Sequence, residues 1–177
     1  MCLARPTRRT QTLTSMRGGS AVMYVRVVTD APRNAASDMI RAILPNWSVR
    51  EHVATKGRED MAADFVHEDR RRLVATPVID ADGFVEQMLD LHDIRTFKLW
   101  IEEVVAVRGE RLALCVRGQT QDETWTTQRL VVVQFDEDVQ RVERWVNFDL
   151  EQRDLALVEL EHLAEEVEAD RSDPPVS

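Results

Sequence analysis

Up to residue 96, apolar residues recur at helical spacing in two clear segments of the chain. The first, "SDMIRAIL", can be capped by Ser37 or Asp38 and is stopped by Pro45. The second, "IDADGFVEQMLDLHDI", can be capped by Asp80 or Asp82. The predicted buried face of this second helix consists of Phe84, Val85, Met88, Leu89 and Leu91.

After residue 96, apolar residues alternate with polar ones, which is the period of strands. The segments are "FKLWIEEVVAV", "RLALCVRGQT", "TWTTQRLVVVQF" and "VQRVERWVNF", and short polar turns separate them. Strands joined by short turns predict an antiparallel meander. A closing helix, "LEQRDLALVELEHLAEEVEA", follows Asp149, which can serve as its cap, and carries acidic residues on its outer face.

Helices followed by a run of strands predict an α+β fold. The strands are long and partly charged on both faces, so a flat sheet under one helix layer would leave one face exposed to solvent. A strongly bent sheet that closes over the helices would instead form a cone with an interior cavity. We expect the exposed sheet face, with Trp100 opposite Leu99, to pair two subunits into a homodimer, because a large uncovered apolar face is uncommon on a monomer.

The bulk composition indicates a single domain with a substantial core. The chain has 177 residues, of which 44% are hydrophobic and 31% are charged. No apolar run is long enough to span a bilayer, so no membrane partner is expected. Cys2 and Cys115 do not suggest a disulfide framework, and we expect free thiols, a reducing compartment and a cytoplasmic location.

The charge of the chain is distributed unevenly. Residues 1–29 contain five Arg and no acid, and the rest of the chain has 18 basic residues against 32 acidic ones. Such an acidic domain would repel nucleic-acid phosphates, so no nucleic-acid partner is expected. The N-terminus resembles a transit peptide in composition, but we favour a disordered tail or a start codon assigned too early. The predicted division is a tail over 1–33, one domain over 34–168 and a second tail over 169–177.

Several quoted segments together resemble a SnoaL-like domain of the nuclear transport factor 2-like (NTF2-like) superfamily. They are "DFVHEDRRRL", "DADGFVEQM", "RGERLALCVRG", "LVVVQFDEDVQRVERWVNFD" and "RDLALVELEHL". The resemblance implies a cone-shaped, strongly curved mixed β-sheet wrapped around N-terminal helices, a C-terminal helix, a pocket at the open end and a dimer. Residues 34–62 depart from the family's two-helix opening, because their pattern predicts a helix broken near Gly57 and a further turn before Phe65.

The stretch "DFVHEDRRRL" is the first candidate site. If it is extended, Phe65, His67, Asp69 and Arg71 share one face. The resemblance makes this stretch the first strand beside the pocket, with His67 and Asp69 as a base and its orienting partner, and Phe65 in the lining. The carboxylate would then raise the pKa of His67 and hold one tautomer, while the Arg run faces solvent. The alternative is a surface His–Asp pair with solvated Arg neighbours, which charge runs of this kind often form.

The stretch "RWVNFD" is the second candidate site. Trp145 and Asn147 share one strand face and could line a cavity, and Trp145 could equally pack in a dimer interface. By resemblance to polyketide-cyclase-like enzymes, Asp149 lies where an acid/base carboxylate enters the cavity. Capping of the last helix is the role we favour for Asp149.

Other chemistries find little support in the sequence. The four His residues show no metal-ligand spacing, and the chain has no Gly-rich phosphate loop and no nucleophile elbow. We therefore expect no metal and no cofactor. The first functional hypothesis is a non-catalytic module that binds a small apolar molecule or mediates association. The alternative, by resemblance to ketosteroid isomerases and polyketide cyclases, is a cofactor-independent isomerase, cyclase or dehydratase that acts by proton transfer.

Overall fold

The computed structural model describes residues 31–74, 76–122 and 125–172. Within these ranges the helices are α1 (Ala35–Ile43), α2 (Arg50–Lys56), α3 (Ala81–Ile94) and α4 (Arg153–Ser172). The strands are β1 (Met61–Asp69), β2 (Phe97–Arg108), β3 (Leu112–Gln121), β4 (Trp125–Phe135) and β5 (Val142–Phe148). Single 3₁₀ turns occupy Asn46–Ser48 and Leu150–Gln152. Of the predicted tails, residues 1–30 and 173–177 lie outside the described residues.

The strands form one mixed sheet in the order β1-β5-β4-β3-β2. β2 to β5 form the predicted antiparallel meander, and β1 joins its edge parallel to β5. The register of β2 shifts between Ile101 and Glu103 and again between Val104 and Ala106. Irregularities of this kind bend a strand and increase its twist. The predicted α+β fold with a strongly curved mixed sheet is confirmed, and the sheet does not close into a barrel.

The inner face of the sheet, defined here as the face covered by α1 to α3, carries the main core. Ile40 of α1, Phe84 of α3, Phe65 of β1 and Trp145 of β5 belong to one buried apolar cluster, which also contains Trp47. The rings of Trp47 and Trp145 lie 5.4 Å apart, and those of Trp47 and Phe84 lie 5.5 Å apart. The N-terminal helices are therefore held inside the curve of the sheet.

The outer face of the sheet is covered by α4. Leu160 and Leu163 of this helix pack with Leu114, Val132 and Val146 in a second buried cluster. The sequence predicted that an exposed sheet face would pair two subunits. Over β3, β4 and β5 that surface is instead buried by the chain's own last helix, because α4 is long enough to lie across the strands.

The helix boundaries correct the predicted cap of α1 and decide between the two caps predicted for α3. α1 begins earlier than expected because Asn34, and not Ser37 or Asp38, is its cap. The Asn34 side chain accepts a hydrogen bond from the Ser37 backbone N–H at 2.9 Å, and the Ser37 hydroxyl accepts one from the Asn34 N–H at 3.0 Å. Of Asp80 and Asp82, Asp80 caps α3, since its carboxylate accepts from the Gly83 N–H at 2.9 Å.

The opening of the domain is more regular than its sequence pattern suggested. Two helices, α1 and α2, precede the sheet, and α2 ends at Gly57, where the break was predicted. The further helical turn expected before Phe65 does not form, because β1 already begins at Met61. Among the described helices, none combines the length and the hydropathy that crossing a membrane requires.

Candidate functional site

β1 places three of the predicted site residues on the inner face. Phe65 is 2% exposed and His67 is 4% exposed, and both rings pack against Phe84 at centroid distances of 5.5 and 5.0 Å. Asp69 follows at the end of the strand. We call this end of the sheet, where β1 and β5 finish and β4 begins, the Asp69 end.

The parallel pairing of β1 with β5 brings the two candidate stretches together. His67 lies beside Trp145, and Asp69 lies beside Asn147. The indole N–H of Trp145 donates to Asn147 Oδ1 at 3.1 Å, and Asn147 Nδ2 lies 2.9 Å from His67 Nε2. All three side chains are buried. They form one hydrogen-bonded chain across the two strands.

The direction of these hydrogen bonds, from Trp145 through Asn147 to His67, fixes the tautomer of His67. An indole N–H can only donate, so the oxygen of Asn147 faces Trp145 and its NH₂ faces His67. His67 Nε2 must then accept, which leaves the ring hydrogen of the neutral imidazole on Nδ1. His67 Nδ1 is buried and has no hydrogen-bond partner among the described residues. The imidazole therefore presents a free N–H donor, while its lone pair is already occupied.

The predicted coupling of His67 to Asp69 takes a different form. Burial lowers the pKa of His67 to about 4, and the Asp69 carboxylate, which alone would raise it, does not overcome this. Arg117, Arg129 and Arg71 lower the pKa of His67 further. The imidazole is neutral at pH 7, and Asn147 holds its tautomer.

Asp69 is instead paired with Arg71. Arg71 Nε lies 2.7 Å from Asp69 Oδ1 and Arg71 Nη2 lies 2.5 Å from Asp69 Oδ2, a bidentate arrangement. Burial acts to raise the pKa of Asp69, but the hydrogen bonds and charge of Arg71 outweigh it and leave this pKa lowered. No hydrogen bond joins Asp69 to His67 in the described residues, so Asp69 does not orient the imidazole. Arg71 was expected to face solvent, and this ion pair keeps it partly buried.

The rest of the charged stretch lies on the outer side. Arg70 bonds to Glu68 and to Glu159 of α4, at 2.8 and 2.6 Å, and lies over the ring of Phe148. The stretch is therefore highly charged because its alternate residues serve two layers of the fold.

Asp149 lies next to this region but serves the local backbone. It caps the 3₁₀ turn that leads into α4, and not α4 itself as predicted. Its backbone N–H donates to Gln152 Oε1 at 2.8 Å, and its carboxylate accepts from the Arg72 N–H at 2.9 Å. The carboxylate thus ties the end of the charged stretch to the start of the last helix.

Sequence reasoning missed four polar residues on the inner face of β3 and β4. Arg117 pairs directly with Arg129 across the two strands, and Gln119 pairs with Thr127. Arg117 is 7% exposed and Gln119 is 4% exposed. Both Arg117 and Arg129 donate to Gln119 Oε1, at 3.0 and 3.3 Å. We call Arg117 and Arg129 the arginine pair.

The arginine pair is electrostatically strained. Burial lowers the pKa of Arg129 to about 10, and burial followed by the charges of Arg129 and Arg71 lowers the pKa of Arg117 well below its usual value. Arg117 Nε and Thr127 Oγ1 are buried without a hydrogen-bond partner in the described ranges. The guanidinium carbon of Arg117 lies 5.9 Å from the centroid of the Trp145 ring, which offers a cation–π contact.

A sequence signal for these residues exists in the strand parity. Ala113 and Cys115 point to the core, and Arg117 continues the same alternate series in "ALCVRGQT". Thr127 and Arg129 likewise share the parity of Val131, which is core. A strand that is apolar at one end of its inner face and cationic at the other end predicts a polar site at that cationic end.

Two other features of the inner side offer less chemistry. His52 Nε2 and the Trp47 indole N–H both contact Asp60 Oδ2, at 2.8 and 2.7 Å, and this bonding ties α2 to the start of β1. An apolar crevice next to it, too narrow to admit a water molecule, is lined by Trp47, Val53, Gly57, Met61, Phe84, Val85 and Met88. In the described part of the chain, no group of three or more His, Cys, Asp or Glu residues could hold a metal.

Comparison with solved structures identifies the fold. PrhC from Penicillium brasilianum is 15% identical with a TM-score of 0.57, over 72% of this chain and 89% of PrhC. BvnE pinacolase from Penicillium brevicompactum is 12% identical with a TM-score of 0.53, over 76% of this chain and 99% of BvnE. An NTF2-like protein of unknown function from Cytophaga hutchinsonii is 7% identical with a TM-score of 0.48, over 70% and 96% of the two chains.

Identities this low show a common fold alone. The fold predicted from the sequence is confirmed at that level by PrhC and BvnE. No family model matches the chain, and no curated protein matches it.

Proposed function

We propose that this domain binds a small organic molecule at the Asp69 end of the inner face and does not catalyse a reaction. The observation that carries the proposal is a set of buried polar groups without partners in the described residues: His67 Nδ1, Arg117 Nε and Thr127 Oγ1. Buried polar groups in folded proteins are almost always hydrogen-bonded, and an exception needs an explanation. A bound molecule would satisfy these groups.

The apolar neighbours of these groups support an organic ligand. On the inner face, Phe84 packs against the imidazole of His67 and against Phe65, and Trp145 lies 5.9 Å from the guanidinium carbon of Arg117. A few polar groups in an otherwise apolar setting are the usual composition of a small-molecule site. The family resemblance implies a pocket at the open end of the cone, and the Asp69 end is where we propose that pocket.

The alternative, an isomerase, cyclase or dehydratase, has weaker support. Proton transfer requires a base whose lone pair can reach the substrate. Asn147 occupies the lone pair of His67 Nε2, and the bidentate ion pair with Arg71 lowers the pKa of Asp69, which makes Asp69 a weaker base. Asp149 is used by the Arg72 backbone. The groups that remain free at this end are donors, which suit binding better than proton abstraction.

NMR titration with a small aromatic probe, 1-naphthaleneacetamide, tests the proposal. The indole N–H resonance of Trp145 and the side-chain amide of Asn147 should shift in a saturable way. Trp100 serves as the internal control, because its indole N–H bonds to Glu102 and its ring covers Gly118 on the outer face. Shifts of Trp100 without Trp145, or no shift at millimolar probe, would contradict binding at this site.

A homodimer remains our proposal for the assembly. Leu155 and Val158 of α4 are 56% and 67% exposed, and they supply apolar surface for an interface on the outer side of the helix. Analytical ultracentrifugation at micromolar concentration should report a dimer, and Val158→Lys should shift it toward the monomer. A wild-type monomer at these concentrations would contradict the proposal.

A further inference from the structure

The arginine pair sets two like charges directly opposite each other on neighbouring strands. Side chains in such positions have Cβ atoms about 5 Å apart, and like charges placed there destabilise a sheet. The cost is greater inside a protein, where the dielectric constant is lower than in water. A fold that keeps this pair therefore needs either an acidic partner in the chain or an anion from outside.

The carboxylates of the chain near the arginine pair are already engaged. Asp69 binds Arg71 with both oxygens, and Asp149 accepts from the backbone of Arg72. The hydrogen-bond acceptor that the structure gives Arg117 and Arg129 is one neutral amide oxygen, Gln119 Oε1, which they share. Three guanidinium groups at this end thus face two carboxylates, and the excess charge is positive. The Asp69 charge acts to raise the pKa of both members of the arginine pair, but burial outweighs it and leaves both pKa values lowered.

We infer that the arginine pair binds the carboxylate of a small organic acid. This inference rests on the proposed function and adds the chemical class of the ligand. A guanidinium group offers its N–H donors in a planar fork that matches a carboxylate, and the unpartnered Nε–H of Arg117 lies at the edge of such a fork. The Thr127 hydroxyl and the Nδ1–H of His67 are further donors on this face.

An exposed aromatic ring marks where the apolar part of the acid would lie. Trp125 is 72% exposed, and it shares its strand face with Thr127 and Arg129 at the start of β4. An anion held by the arginine pair could extend its apolar body along this face toward Trp125. This favours an organic acid over inorganic phosphate, which has no apolar body to use the ring.

Two matched probes test the inference. 1-Naphthaleneacetate and 1-naphthaleneacetamide have nearly the same shape and differ in charge, and their affinities can be compared by isothermal titration calorimetry at pH 7.5 and low salt. The acid should bind at least tenfold more tightly. Arg117→Met should abolish this preference while the amide still binds. Arg111→Met is the matched control, because Arg111 already has an acidic partner, Glu143.

The outcomes separate the inference from the proposed function. Equal affinities for acid and amide in the wild-type protein would overturn the inference and leave the proposed function standing. Binding of neither probe would overturn both. Phosphate that displaces the acid at the concentration where the acid itself binds would overturn the assignment of an organic ligand. The comparison in the wild-type protein does not depend on the folding of any variant, and Arg129→Gln provides a second test of the pair.

Discussion

Two arginines, one just before β3 and one within it, have opposite surroundings. Arg111, in the turn that leads into the strand, donates to the backbone oxygen of Phe135 at 2.8 Å and to Glu143 Oε2 at 2.7 Å. Arg117, near the middle of the strand, is more deeply buried, donates to the neutral Gln119 and faces Arg129. Arg111 has a carboxylate partner, whereas the Asp69 charge that acts on Arg117 does not outweigh burial and the neighbouring arginines.

This difference supports the proposal that the Asp69 end of the sheet serves binding and the opposite end serves stability. Near the start of β1, Asp60 has two donors, from Trp47 and His52. At the Asp69 end, the Nδ1–H of His67 and the Nε–H of Arg117 have no partner among the described residues. Beside Glu143, the unpartnered buried atom is a neutral amide oxygen, Gln134 Oε1. Natural proteins tend to depart from the rules of stability where function requires it, so the unpartnered buried donors favour the Asp69 end as the site.

The largest expected effect is a loss of stability at low pH caused by His67. Its folded pKa of about 4 lies below the value of about 6.5 expected in the unfolded chain, so the unfolded state binds more protons between these values. The stability that neutral His67 contributes is complete above pH 6.5 and is lost as the pH falls toward 4. A shift of this size corresponds to about 3 kcal/mol.

Urea unfolding at several pH values checks this effect. Between pH 7 and pH 4, His67→Gln should lose less unfolding free energy than the wild type, while His162→Gln, which changes an exposed histidine, should behave like the wild type. Identical pH dependence of His67→Gln and the wild type would show that His67 is not buried in its neutral form.

Removal of Arg111, which is paired with Glu143, should have the next largest effect on stability. Arg111→Met leaves Glu143 partly buried without its cation, and breaking such a pair from one side costs about 2 kcal/mol or more. The free energy of unfolding in urea should fall by this amount. An unchanged value would remove the contrast between Arg111 and Arg117.

Removal of Arg117 should change the free energy of unfolding in the opposite direction. Arg117→Met eliminates a buried like-charge contact with Arg129 and keeps a long side chain against Trp145, so the free energy of unfolding should rise by about 1 kcal/mol in the absence of ligand. Urea unfolding in the same buffer as Arg111→Met gives the comparison. A clear loss of stability would mean that Arg117 is compensated within the chain.

The smallest effect concerns the carboxylate beside His67. Asp69→Asn should lower the pKa of His67 further, because the Asp69 charge acts to raise it, but burial remains the dominant cause. NMR titration of the imidazole measures the change. Asp60→Asn, which alters the other His–Asp pair, is the matched control and should leave His67 unchanged. A rise in the His67 pKa on Asp69→Asn would contradict this electrostatic account.

Local pattern was sufficient to predict most elements of the fold. The alternation after residue 96 predicted the meander, and Asp80, one of the two predicted caps, begins α3. The cap of α1 was missed because Asn34 acts together with contacts far along the chain, donating to the backbone oxygens of Gly109 and Leu112. That information is tertiary and is absent from the local pattern.

The candidate site was predicted only in part, for a similar reason. The sequence indicated His67, Asp69, Trp145 and Asn147 as separate candidates, and the parallel pairing of β1 with β5 brings them together. The assumed His–Asp partnership overlooked Arg71, two residues from Asp69, which is the stronger partner because it is always charged. The arginine pair was missed because Arg117 and Arg129 lie on separate strands, and the register of β3 with β4 is what sets them opposite each other.

The most direct test of the central claim is the NMR resonance of the Arg117 Nε–H group during titration with 1-naphthaleneacetate. The account predicts that this resonance shifts in a saturable way, because the carboxylate becomes its missing acceptor, while the Arg111 Nε–H resonance, already bonded to the Phe135 oxygen, stays in place. An Arg117 resonance that does not respond to the bound acid, or an equal response of Arg111, would contradict the claim that the Asp69 end holds an uncompensated cationic site.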